Sequence, residues 1–184
     1  MKLGNHEITF EEKIIRLISF GHEGEFWDFK REWYNNNTEL LFDIICMANN
    51  LHNSDAYIII GVDEENGYEI RDIENDPGRK STQNIVDILK DKKFAGGVRP
   101  LVRVEQLYLD DCNVDVIVIE NSFNTPFYLT EPYQGIRANH IYTRVMDTNT
   151  AKDKSADINN VEYLWRKRFR LNSTPLEQIQ YYLH

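Results

Sequence analysis

Cysteine is scarce. Cys46 and Cys112 are the only two in 184 residues, far apart and in no CxxC or other ligand spacing, so neither a disulfide framework nor a thiolate zinc site is indicated. Long apolar runs are also missing: none approaches the ~20 residues that cross a bilayer. The opening Met-Lys-Leu-Gly-Asn-His-Glu has no apolar stretch of the secretory kind. The expectation is a soluble protein of the reducing cytoplasm with no membrane partner. Positive charge is in short supply, 21 Lys and Arg against 30 Asp and Glu, for a formal net charge of −9. Such a chain does not coat itself with polyanions, so any nucleic-acid role needs a local basic patch, a bound cation, or both. No G-x-x-x-x-G-K-[ST] loop is present, and Ala95-Gly96-Gly97 lacks the lysine and helix that would cradle ATP phosphates. The histidines are scattered and form no ligand set, and there is no internal repeat or low-complexity tract.

What is present is an ordinary globular mixture, 41% hydrophobic and 28% charged, at a length that suits one domain. Thr9 and Glu12 form a capping box ahead of an apolar stripe of Ile14, Ile15 and Ile18, and Gly21 ends that helix. Phe26 to Lys30 reads as a strand with Asp28 and Lys30 on one face and Trp27 and Phe29 on the other. After the turn at Asn35 to Thr38, a helix carries Leu40, Leu41, Ile44, Ile45, Ala48 and Leu51, with Cys46 in its core pattern. Ala56 to Val62 is continuously apolar and β-branched, as in a central strand covered on both faces. Tyr68 to Ile73 is expected to pair with it through a turn at Glu65-Asn66-Gly67.

Further along, a helix is expected over 81–89, strands over 101–109 and 114–120, and shorter strands over 127–129 and 141–145. Asn159 with Glu162 opens another helix, and Thr174-Pro175 with Glu177 gives a strong start to the next. The pattern predicts the α/β (α+β) class, a mixed, mainly antiparallel sheet flanked by helices. Residues 1–170 form the domain, and 171–184 begin a C-terminal helix or linker. A helix cut off at His184 leads us to expect a downstream region beyond this chain.

Three places could feed one acidic site: Glu23 and Glu25 before the first strand, Asp28 within it, and Asp63-Glu64 at the end of the central strand. If those two strands are neighbours, their polar ends meet. Clustered carboxylates repel unless a cation intervenes, and hard oxygen ligands suit Mg²⁺ or Mn²⁺. Lys30 shares the face of Asp28 and would stabilise charge on a phosphoryl oxygen. The same acids are also what solvated strand ends carry, and His22 beside them reads first as an exposed loop residue and second as a phosphate contact or proton carrier.

Several motifs have a familiar order. Glu23-x-x-x-x-Asp28-Phe29-Lys30, Ala48-Asn49-Asn50 and Ile58-Ile59-Ile60-Gly61-Val62-Asp63-Glu64 resemble the Schlafen-type core, also described as an AlbA-like nucleic-acid-binding or divergent AAA domain. Thr125-Pro126-Phe127-Tyr128-Leu129, Ile141-Tyr142-Thr143-Arg144 and Thr148-Asn149-Thr150 extend the likeness to bacterial members over about residues 10–170. In animal Schlafens that cut RNA, two glutamates five residues apart and an aspartate after the G-V-D strand form a metal-dependent nuclease site. Carried over, these fall on Glu23, Asp28 and Glu64, with Lys30 assisting and Mg²⁺ or Mn²⁺ as the implied cofactor.

Two of the three are acid-for-acid swaps, which keep the charge but change the reach by a methylene, and metal geometry is sensitive to that. The family's Gly-Gly after Ala-Asn is replaced here by Leu51-His52-Asn53-Ser54-Asp55. The resemblance implies a nucleic-acid-binding domain, either a divalent-metal-dependent endoribonuclease or a non-catalytic DNA- or RNA-binding or protein-interaction module of a larger transcriptional regulator. RNA or DNA is the expected partner, and a homodimer is compatible with the acidic balance. Arg99, Arg103, Arg137, Arg144 and the run Arg166-Lys167-Arg168, with Arg170, are the candidate contacts. Tyr128, Tyr133 and Tyr142 are candidates to stack on bases.

Overall fold

The computed structural model describes residues 8–183. In chain order the elements are α1 (Phe10–Ser19), β1 (Trp27–Lys30), α2 (Asn37–Ala48), β2 (Ala56–Ile60), β3 (Val62–Asp63) and β4 (Glu69–Ile70). They continue through α3 (Thr82–Lys90), β5 (Val102–Leu109), β6 (Cys112–Ile119), β7 (Arg144–Val145), β8 (Thr148–Asn149), α4 (Ile158–Arg168) and α5 (Pro175–Tyr182). The main sheet has the order β1-β2-β6-β5; β1 and β2 are parallel and the other two pairings antiparallel. The class is therefore the expected one, a mixed, mainly antiparallel sheet flanked by helices.

Alternation in β2 and β6 divides the core. Ala56, Ile58 and Ile60 join Ile117 and Ile119 beneath α2 and α3, while Tyr57 and Ile59 join Val114, Val116 and Val118 beneath α1. Trp27 and Phe29 of β1 lie on the α1 side, so Asp28 and Lys30 face the α2 side. Helix α2 buries nine of its twelve residues, Cys46 among them. The capping boxes at Thr9 and Thr174 both form.

Several local expectations are corrected. On α1 the inward positions are Ile14 and Leu17, whereas Ile15 is 46% exposed. The apolar run 56–62 is not one strand. Gly61 adopts φ +104, where a Cβ would lie 2.9 Å from the Arg71 carbonyl oxygen, so the chain bends and Val62–Asp63 pairs with Glu69–Ile70 in a separate ribbon. Only those two residues of the expected strand 68–73 form a ladder. The N-cap of α4 is Asp157, not Asn159, accepting from the Asn159 and Asn160 N–H groups. The end of the expected C-terminal helix at His184 lies outside the described residues.

Residues 127–129 make a single bridge, Leu129 to Phe94, and in 141–145 only Arg144–Val145 is a strand. The Asn49 carboxamide does the work of a ladder there. It donates to the Phe127 and Tyr142 carbonyls at 2.8 and 2.9 Å and accepts the Phe127 N–H at 2.7 Å. No helix among the described residues is long and apolar enough to cross a membrane.

Candidate functional site

The loop before β1 folds back on the strand. The Gly24 N–H donates to the Trp27 carbonyl at 3.1 Å, and Trp27 Nε1 donates to the His22 carbonyl at 2.8 Å. Gly24 permits this, since a Cβ there would come within 2.2 Å of the Trp27 ring. The fold-back lets Glu23 Oε1 accept the Phe29 N–H at 3.0 Å. Because β1 is a sheet edge, a carboxylate satisfies a donor that a neighbouring strand would otherwise take.

From the other side comes Arg144 of β7, only 3% exposed. Its Nη2 lies 2.7 Å from Glu23 Oε2 and 3.0 Å from Asp28 Oδ1. Nε donates to the Gly24 carbonyl at 2.9 Å and Nη1 to Asn149 Oδ1 at 3.2 Å. Lys30 Nζ binds the remaining oxygen of Asp28. The network continues through α2, where Asp43 accepts from Asn149 Nδ2 at 2.9 Å and from the Tyr34 hydroxyl at 2.6 Å. Three carboxylates thus share two cations in a largely buried space.

The protonation pattern follows. Burial, reinforced by the neighbouring Asp28 carboxyl, pushes the Glu23 pKa up to about 7. Burial also opposes the charge on Asp28, but Lys30, the Glu23 carboxyl and Arg144 together hold its pKa below the usual carboxylate range. Burial works against the Lys30 charge, and Asp28 and Asp43 overcome it, raising that pKa. Asp43 and Tyr34 are both raised, in each case first by burial.

The structure brings together Glu23, Asp28 and Lys30 of the expected site. Glu64 stands apart, exposed at the start of the 3-10 turn Glu64–Asn66. Its link to the network is Tyr68, which packs on Phe29 at 5.4 Å and whose phenol is raised by burial, then by Glu64 and Glu23. Asp63 turns elsewhere, to Arg71 at 2.8 Å, Arg31 at 3.6 Å and Asn66 at 2.8 Å. A dication held by Glu23, Asp28 and Glu64 does not fit this arrangement. Each oxygen of Glu23 and Asp28 already takes a protein donor, and one Arg144 nitrogen bridges the two neighbouring carboxylates. Among the described residues no three His, Cys, Asp or Glu side chains are gathered as metal ligands.

The expected basic contacts separate into three kinds. Arg144 is consumed by the acids and is not a surface contact. Arg103 is paired with Glu105 and Glu120, and Arg166 with Glu162. Arg99 and Arg137 are exposed, and among the described residues Lys167 donates to the Asn121 side-chain oxygen and Arg168 to the Asn124 carbonyl. Tyr142 is buried, so it packs instead of presenting a stacking face. Sequence reasoning missed Tyr34, Asp43 and Asn149; the available signal was Asp43, an acid set among the apolar positions of α2.

A mixed α/β domain with an edge strand locked by an acid–arginine network is the class these features define. The family description "Schlafen, AlbA_2" matches residues 23–153, and the chain belongs to that family. Among solved structures it is similar to the DIP2311 protein from Corynebacterium diphtheriae, at 16% identity and a TM-score of 0.47, over 75% of this chain. The chain spans 29% of that protein's length. No curated protein matches it.

Proposed function

We propose that this domain binds nucleic acid and leaves it intact, with the Glu23–Asp28–Arg144 network acting as a structural junction. The observation that carries the reading is that every oxygen of Glu23 and Asp28 accepts from a protein donor, two of them from Arg144. The likeness to AlbA-like nucleic-acid-binding domains supports the ligand class. Cations outside the network, among them Arg99, Arg137, Lys167, Arg168 and Arg170, are available to meet phosphate on a chain of net charge −9. The test is fluorescence anisotropy of labelled RNA and DNA across a salt series, with the same samples run on a denaturing gel. Binding should weaken steadily with salt, and the strands should be recovered whole after incubation with Mg²⁺ or Mn²⁺. Absence of binding at low salt would overturn the proposal.

A second reading, cleavage of structured RNA with Mg²⁺ or Mn²⁺ held by Glu23, Asp28 and Glu64, draws on the juxtaposition of Glu23, Asp28 and Lys30. It requires Arg144 to leave its place between the acids. Metal-dependent cuts of a tRNA-like substrate, lost in EDTA and in both Glu23→Ala and Glu64→Ala, would favour it over binding alone.

A further inference from the structure

The last turn of α4 carries Arg166, Lys167 and Arg168, and Arg170 follows in the left-handed region at φ +55, reversing the chain toward α5. Arg166 is paired with Glu162. The other three have no carboxylate partner among the described residues. Lys167, 5% exposed, places Nζ 2.6 Å from Asn121 Oδ1. Arg168 Nη1 donates to the Asn124 carbonyl at 2.7 Å. The Arg170 guanidinium lies between the rings of Phe123 and Tyr181, 3.9 and 3.8 Å from their centroids. Its flat faces are covered, and its N–H edges make no hydrogen bond within the described residues.

Sequestered cations ordinarily sit beside a carboxylate, because removing them from water unpaired is costly. The helix C-terminus offsets part of that cost for the buried Lys167, and the half-buried Arg168 and Arg170, likewise without a carboxylate partner among the described residues, bring two more cations to the same chain reversal. Arg168 and Arg170, with Phe169, wall one side of a cleft of about 480 Å³ that Asn121, Phe123 and Asn124 close on the other, with no acidic side chain among the described residues of its lining. Behind Phe123 and Arg170 a smaller cavity of about 160 Å³ reaches Lys167. The carboxylate there, Glu177, is committed to the Thr174 N–H and hydroxyl of its own helix cap. Phe169 is 61% exposed and stacked on Trp165, leaving a ring face toward solvent. The larger volume lies in the range of nucleotide-sized sites.

We propose that this cleft is a binding site for one phosphodiester step of single-stranded nucleic acid. Arg168 and Arg170 hold the phosphate, Lys167 supplies charge behind them, and Phe169 stacks the adjoining base. The proposal deepens the binding reading above and rests on it. Charge-assisted hydrogen bonds and an aromatic face are the two contacts that single strands offer any sequence equally, so sequence preference is weak. Burial, which lowers the Lys167 pKa, is the cost of keeping an ammonium ready for an anion.

The test is anisotropy of a labelled oligouridylate and its DNA counterpart with wild type, the double variant Arg168→Gln/Arg170→Gln, Phe169→Ala and Lys167→Met. The double variant should bind at least about tenfold more weakly, with a salt slope smaller by about one unit. Phe169→Ala should cost about tenfold without changing that slope. Lys167→Met should weaken binding while its melting temperature stays level or rises, because an uncompensated buried charge has been removed. If wild type binds and the double variant binds equally well with the same slope, the cleft is not the site, although the binding reading stands. If wild type binds no strand at all, the broader reading falls first. A Lys167→Met protein that melts earlier and binds normally would make the lysine a structural strut and refute its part.

Discussion

Replacing Arg144 by methionine removes the cation in direct contact with both Glu23 and Asp28. Arg144 is nearly inaccessible and makes four contacts, with the Gly24 carbonyl, Asn149, Glu23 and Asp28. Deleting one partner of a buried charge set costs about 3–5 kcal/mol, chiefly because the opposite charges are left stranded. A domain of this size has about 5–15 kcal/mol in all, so the variant should lose roughly a fifth of its stability or more. With a urea slope of about 2 kcal/mol/M, the midpoint falls by about 2 M. Trp27, Trp33 and Trp165 provide the fluorescence signal for the titration.

Acidification adds a second readout. Without Arg144 the Glu23 pKa rises further above its unfolded value, and Asp28 loses one of the charges that hold its pKa below the usual carboxylate range. For Glu23, stability is retained below the unfolded pKa and lost as pH rises through the folded one, and for Asp28 the stability present above its unfolded pKa is reduced. The deficit should therefore be largest above neutrality and shrink toward pH 5. Arg144→Lys, which keeps a point charge but not the fork, should fall between wild type and methionine. A methionine variant within about 1 kcal/mol of wild type at pH 7, or a deficit indifferent to pH, would refute the account of the network as the lock on β1.

Glu23 gives wild type a related signature. Its pKa rises from 4.5 unfolded to about 7 folded, so its contribution is fully present below 4.5 and fades as pH climbs through 7, by up to on the order of 3 kcal/mol. Glu23→Gln should remove that slope from a pH series of melting curves; an unchanged slope would assign it to other groups. Gly61→Ala, at φ +104 with the Arg71 carbonyl 2.9 Å from the added Cβ, should destabilise by about 1–3 kcal/mol. A neutral result in thermal unfolding would mean that the bend between β2 and β3 is compliant.

Much of this was readable before any coordinates. Thr9 and Thr174 announced their helices because capping is local chemistry, and Asp28 and Lys30 shared a face because strand periodicity dictates it. That β1 and β2 are neighbours accords with the helix between them. The bend at Gly61 was hidden because an apolar run looks the same whether or not one glycine takes a positive φ. Arg144 read as a surface cation because its surroundings come from Glu23 and Asp28, over a hundred positions earlier, and the chain leading to it carries little strand periodicity. Asp43 was masked by the apolar stripe around it. Such residues are defined by partners brought from afar, which no local pattern encodes.

The Asn49 carboxamide grips residues 78 and 93 positions away at once. A single side chain therefore acts as a rivet through the layer formed by 125–143, indexing it to the end of α2. Arg144 comes two residues after the second grip. Any slippage at that rivet would withdraw the guanidinium from the acids, so the charge balance along β1 is governed from an uncharged amide on another element.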